Sequence, residues 1–264
     1  MIDIHHHLLW GLDDGSDSLE TSVAMARLAA EQGITHIVAT SHASNHWTFQ
    51  PDAVAAKAAE LRAILAAEKI PLTLGTGCDF HLSYDNLADA KLNPRKYTVN
   101  NGDYLLVELP DYGLPLNLTE TFYELQIAGI TPILTHPERN LTLQNDVNRM
   151  IDWLRGGMLV QVTAASIAGK FGRHAEKASQ KLLADNWVHF VATDAHNVNS
   201  RPPLVHEAKE IVERKCGKEA AERLFVTNPR AVFESRTLGE QPEPRHVFAD
   251  LEDNRNWLEK LLRR

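Results

Sequence analysis

Residues 2–42 read IDIHHHLLWGLDDGSDSLETSVAMARLAAEQGITHIVATSH. An apolar run, IDIHHHLL (2–9), leads into a helix-like stretch, SLETSVAMARLAAEQG (18–33), and then into a second apolar run, THIVATSH (35–42). Ser18 ahead of Leu19 and Glu20 has the chemistry of a helix start, and Gly33 stands where a helix ends. Two short apolar runs joined by an amphipathic helix describe a parallel β-α-β unit. Alternate residues of a strand share a face, so His5 and His7 point one way and His6 the other. His42 closes the second run.

The alternation continues along the chain. Further strand-like runs are PLTLGTG (71–77), DYLLVEL (103–109), ITPILTH (130–136), GMLVQVT (157–163) and HFVATD (189–194). Helix-like stretches occupy 51–69, 116–129, 145–156 and 173–186, with Gly129 and Gly156 at expected helix ends. Seven such strands predict an α/β barrel, closed or nearly so, and 264 residues is an ordinary length for one. An open doubly-wound sheet is the alternative. The chain has no GxGxxG after a strand and no GxxxxGK[ST], which weakens nucleotide-binding folds. Residues 1–235 read as the barrel, and the charged segment 236–264 as a linker with one peripheral helix, part of the same domain or packed on it.

A net charge of −8 argues against nucleic acid as a partner. Two cysteines, Cys78 and Cys216, are too few for a disulfide framework. The N-terminus lacks the charged and apolar regions of a signal peptide, and no apolar run approaches the ~20 residues of a membrane helix. These features point to a cytoplasmic chain without membrane insertion.

Six of the seven apolar runs share one habit: an ionisable side chain at the end. His5 and His7 lie toward the end of the first run, His42 ends the second, Asp79 follows the third, Glu108 stands at the end of the fourth, His136 ends the fifth, and Asp194 with His196 the seventh. In a parallel barrel these ends meet on one rim, where active sites lie. Burying so many carboxylates and imidazoles together is costly unless cations neutralise them. With Asp14 added, the set can hold two or three divalent metals. Imidazole suits zinc, iron or manganese, and the carboxylates favour harder ions. Asp13-Asp14-Gly15 also reads as a plain turn. His46 and His81 read as exposed or supporting, and His6 as a packing residue. A cysteine-based phosphatase is excluded by spacing. Its Cys-x5-Arg loop would need arginine at 84, where Tyr84 stands, and Cys216 reaches Arg223 only across six residues.

HHH in the first strand, SH in the second, then VELP, THPERN, and TDAHN followed by RPP, resemble the polymerase-and-histidinol-phosphatase (PHP) family. They are most similar to its branch of bacterial tyrosine phosphatases of the CpsB/CapC capsular and exopolysaccharide type. The resemblance spans about residues 1–235. It implies a distorted (β/α)7 barrel with a metal cluster, manganese first, with iron or zinc as alternatives. It implies metal ligation by His5, His7, Asp14, His42, Asp79, Glu108, His136, Asp194 and His196. Asp79 aligns with a bridging glutamate, one methylene longer. The resemblance also implies that Arg139 and Arg201 hold the phosphate, with Asp194 and His42 in the catalytic set. In such a site two metals share a water that attacks phosphorus, and His42 or a bound water protonates the leaving group. The implied substrate is a phosphotyrosine protein, with a tyrosine kinase of a polysaccharide-assembly system as the family-based partner. A small-molecule phosphatase, such as one for histidinol phosphate, and a weakly catalytic metal-binding regulatory module are the competing readings. The sequence leaves the oligomeric state open.

Overall fold

The strand–helix alternation closes into a ring. The structure, a computed structural model, describes residues 1–110 and 113–249. Parallel strands β1 (Ile2–His6), β2 (His36–Ala43), β3 (Thr73–His81), β4 (Tyr104–Glu108), β5 (Thr131–Thr135), β6 (Leu159–Thr163) and β7 (Phe190–Ala192) pair in that order as one seven-stranded sheet. Helices α1 (Leu19–Glu31), α2 (Pro51–Ala67), α3 (Tyr84–Leu92), α4 (Leu118–Ile127), α5 (Leu141–Asn145) and α6 (Ile151–Arg155) connect the earlier strands. They are followed by α7 (Ala164–Ile167), α8 (Gly172–Ala184), α9 (His206–Cys216), α10 (Lys218–Glu222) and α11 (Asn228–Phe233). The fold is the distorted (β/α)7 barrel that the sequence predicts. No helix among the described residues is long and apolar enough to cross a membrane.

Local chemistry explains the element ends. The Ser18 hydroxyl accepts from Thr21 N at 3.2 Å and starts α1. Gly33 and Gly129 end α1 and α4 with φ of +73° and +77°, a conformation only glycine adopts cheaply. After α6 the left-handed residue is Gly157, one place beyond the expected Gly156. The expected helix over 145–156 is broken: a 3₁₀ turn, Val147–Met150, precedes α6, because the Asp146 side chain accepts from Asn148 N and starts a separate turn. Of the charged 236–264 segment, residues 250–264, where the expected peripheral helix would fall, lie outside the described residues. Its earlier part docks on the barrel, where the Trp187 indole donates to Arg245 O and Arg155 Nε to Val247 O.

Apolar side chains fill the ring's lower interior: Ile2, Ile4, Val38, Leu106, Ile133 and Phe190 pack as one cluster. The larger core lies between the sheet and its helices. The pairing of β1 with β2 slips by one residue between Asp3 and His6. A bulge of this kind re-aims the following side chains. It lets Ile4 join the interior cluster while His5 and His7 still meet above it. The ring closes where β1 meets the chain after β7. Asp194 N donates to His5 O and His7 N to Ala195 O, each at 2.9 Å. Asp3, which the sequence did not single out, clamps this seam: its buried carboxylate accepts from Thr193 N at 3.0 Å and from the Thr193 hydroxyl at 2.5 Å. Asp3→Ala leaves those donors buried and unpaired. It should lower the free energy of unfolding in urea by roughly 2–4 kcal/mol, whereas an unchanged midpoint would show that the seam needs no clamp.

Candidate metal centre

The carboxyl ends of the strands gather the histidines and acids that the sequence predicts there. His5 Nε2 lies 3.3 Å from Asp79 Oδ2, 3.4 Å from Asp194 Oδ1 and 3.3 Å from His7 Nε2. His7 Nε2 is also 3.4 Å from Asp194 Oδ1. His42 Nε2 and His196 Nε2 face Asp14 Oδ1 at 3.3 and 3.6 Å. His42 Nδ1 faces Asp79 Oδ2 at 3.2 Å, and His136 Nε2 faces Glu108 Oε1 at 3.4 Å. Every one of the candidate ligands is thus brought into one site. One placement differs from expectation: β3 runs on to His81, so Asp79 lies within the strand rather than after it. The glycines of GTG end the apolar pattern early while the backbone ladder continues.

The donors are held from behind. His5 Nδ1 contacts Gln161 Oε1 at 3.0 Å, His7 Nδ1 contacts Asp13 Oδ2 at 2.8 Å, and His196 Nδ1 contacts Asp194 O at 3.0 Å. A proton on each Nδ1 satisfies these acceptors and turns the Nε2 lone pair into the cavity, the arrangement of metal-ligating imidazoles. Asp13 also accepts from Gly15 N and His42 N, so the Asp-Asp-Gly segment is a support as well as a turn. Sequence reasoning missed Gln161 and Asp13; an inward polar residue in an apolar run and the doubled aspartate were the available signals. His136 and Asp194 adopt left-handed backbone, at φ +30° and +52°. For residues with a Cβ this costs of order 1–3 kcal/mol each.

The electrostatics call for positive charge. Asp79 is 0 % exposed, and neither of its oxygens has a hydrogen-bond partner in the protein. Glu108 Oε2, His42 Nδ1 and His196 Nε2 are buried without one too. Burial opposes the Asp79 charge, yet His5 and His42 hold its carboxyl well below the usual range. Burial likewise opposes charging His5 and His42, but the surrounding carboxylates win and carry them up to about 9 and about 11. Burial and the Arg139 charge keep His136 neutral, and burial with His7 brings His196 down to about 4. Orphaned acceptors and inward imidazole lone pairs fit divalent cations.

Two arginines flank this set. Arg139 Nη1 and Arg201 Nη2 both reach Asp194 Oδ2, while Asp194 Oδ1 faces the histidines. The alternative pairing of Arg139 with Glu138 does not form; Glu138 is buried and accepts from Thr163 N at 3.0 Å. Phe171, unremarked in the sequence, lies under both guanidinium groups, 4.6 Å from Arg139 and 6.0 Å from Arg201. Asn197 Oδ1 accepts from Ser200 N and Arg201 N and so folds Arg201 back to the site. Seven of the nine donors (all but His5 and His7) and both arginines line one cavity of about 250 Å³, with the exposed His46 and Trp47 among its walls. His81 is both partly exposed and in contact with the site: its side chain is 30 % exposed and Nε2 contacts Glu108 Oε2.

Fold and site together define an α/β barrel with a candidate metal centre at its carboxyl rim. The chain belongs to the CpsB/CapC family of capsular polysaccharide synthesis, which it matches over residues 1–234. It is 34% identical over 243 residues to the tyrosine-protein phosphatase YwqE of Bacillus subtilis, covering 92% of this chain and 95% of that one. It is 30% identical over 240 residues to the tyrosine-protein phosphatase CpsB of Streptococcus pneumoniae, covering 88% and 98%. Its structure superposes with TM-score 0.85 and 34% identity, over 92% of this chain and 99% of the other, on one from the work on YwqE and CpsB crystal structures, described as unique metal-dependent tyrosine phosphatases.

Gly15 tests the support. A Cβ there would lie 2.4 Å from His7 Cβ and 2.5 Å from His7 O. Gly15→Ala should displace His7, cost roughly 1–3 kcal/mol in a thermal melt and reduce bound metal measured by mass spectrometry; unchanged values on both would show that this approach does not set the site. A divalent ion must also displace protons from His5 and His42. Calorimetry near pH 7 in buffers of different ionisation enthalpy should therefore register proton release on Mn²⁺ binding, and buffer-independent heats would contradict it.

Proposed function

We propose that the chain is a metal-dependent protein-tyrosine phosphatase. The observation that carries this reading is Asp194, whose two oxygens face in different directions. Oδ1 faces the inward imidazoles of His5 and His7, and Oδ2 holds the guanidinium groups of Arg139 and Arg201. A centre suited to cations and a pair of phosphate-type forks thus share one cavity.

In this reading His5, His7, Asp14, His42, Asp79, Glu108, His136, Asp194 and His196 hold two or three divalent ions, manganese in preference to iron or zinc. When bound, the ions supply a water of lowered pKa and positive charge for the phosphoryl group. Arg139 and Arg201 bind phosphoryl oxygens, for which a planar guanidinium fork is suited. Phe171 keeps both planes in place while Asp194 sets their distance from the centre. His42 has both ring nitrogens turned to carboxylates, so it joins this set only on losing the proton that they hold. Tyrosinate, with a parent pKa near ~10, leaves with less acid help than an alkoxide. The substrate class follows the tyrosine-protein phosphatases of the same family. A tyrosine kinase of a polysaccharide-assembly system is the partner we infer, and the cytoplasm the place of action.

The test compares a phosphotyrosine peptide, histidinol phosphate and single-stranded DNA, with Mn²⁺ and with chelator. Wild type should hydrolyse the peptide fastest and lose that activity with chelator. His136→Ala should abolish Mn²⁺-dependent turnover with little change in circular dichroism. Arg139→Ala should chiefly raise KM, by roughly ten- to a hundredfold for the loss of one charge-assisted contact worth ~1.5–3 kcal/mol. Near-wild-type kinetics in both variants would place the chemistry elsewhere.

A further inference from the structure

His81 lies outside the ligand set, yet the strand geometry delivers it to the same centre. Asp79 and His81 are two residues apart on β3 and so share its inward face. The pairing of β3 with β4 sets His81 directly beside Glu108. His81 Nε2 contacts Glu108 Oε2, and His42 Nδ1 approaches that same oxygen at 3.6 Å. The imidazole rings of His42 and His81 stand 5.5 Å apart between centroids. Donor atoms of His42, His81 and Glu108 all lie within 4.8 Å of one another, close enough for one ion. Of these, His42 Nδ1 is buried and forms no hydrogen bond in the protein, and the buried Glu108 Oε2 is faced by the two imidazoles. The opposite oxygen of Glu108 faces His136 at 3.4 Å, which places a nitrogen donor on each side of the carboxylate.

We propose that His81 Nε2 is a further metal ligand, supplied by β3 to the ion that Glu108 holds. It extends the donor set on the solvent side of the cavity, where the His81 side chain is 30 % exposed. This inference rests on the reading of the site as a divalent-metal centre.

Two substitutions separate ligation from hydrogen bonding. His81→Gln keeps an N–H donor for Glu108 but removes the imidazole lone pair. His81→Glu supplies a carboxylate donor to an ion but repels Glu108 when no ion lies between them. Mn²⁺ is the probe, with affinity from calorimetry and retained manganese from mass spectrometry after desalting. Thermal melts in chelator report whether each variant folds. If His81 is a ligand, His81→Gln weakens one Mn²⁺ at least roughly tenfold and His81→Glu retains it. If His81 only hydrogen-bonds Glu108, the pattern reverses. Wild-type affinity in His81→Gln overturns the proposal, as does loss of the ion in His81→Glu. Wild-type protein that takes up no Mn²⁺ at all would remove the functional reading itself, an outcome distinct from either variant result.

Discussion

Asp79 and Asp194 bury their carboxylates at 0 and 2 % exposure in the mouth of a barrel, and the rest of the site is arranged around that charge. A buried carboxylate without a counter-charge costs several kcal/mol. Asp194 meets this demand on two sides, with imidazoles on one oxygen and guanidinium groups on the other. Asp79 meets it on one side only, from His5 and His42, and both of its oxygens stay without hydrogen bonds. Cations are the partners that complete the balance. The same logic explains why carboxylates recur at the ends of β3, β4 and β7 when each alone would oppose folding.

The demand of the site and the closure of the barrel are met by the same backbone. The bonds that join β1 to the chain after β7 belong to His5, His7, Asp194 and Ala195. The bulge in β1 lets an apolar plug sit directly beneath the histidines. Left-handed backbone at His136 and Asp194 is retained because the flanking strands and the seam fix it. Behind the donors, Gln161, Asp13 and the Asp194 carbonyl orient imidazoles that have little room to turn.

Much of this was legible in the sequence. An ionisable residue closing six of the seven apolar runs needs only strand periodicity and parallel topology to become a rim of donors. The ring of seven strands and the start of α1 at Ser18 followed from local chemistry. Other features depend on long-range pairing and were not legible. The role of His81 depends on β3 outrunning its apolar stretch and on its register with Glu108. The Arg139 partner is Asp194, 55 residues away, rather than the adjacent Glu138. Phe171 looks like any core aromatic until two arginines from separate loops lie over it. The bulge in β1 leaves no mark beyond three consecutive histidines, whose outer pair would share a face in any regular strand.

The central claim is that these side chains surround a cluster of cations. Anomalous scattering from crystals grown with Mn²⁺, measured on both sides of the manganese edge, tests it most directly. The account predicts peaks inside the cavity, within ~2.0–2.3 Å of the inward nitrogens of His5, His7, His136 and His196 and of the Asp79 and Asp194 oxygens. A cavity without anomalous density at saturating Mn²⁺, or peaks confined to surface carboxylates, would contradict it.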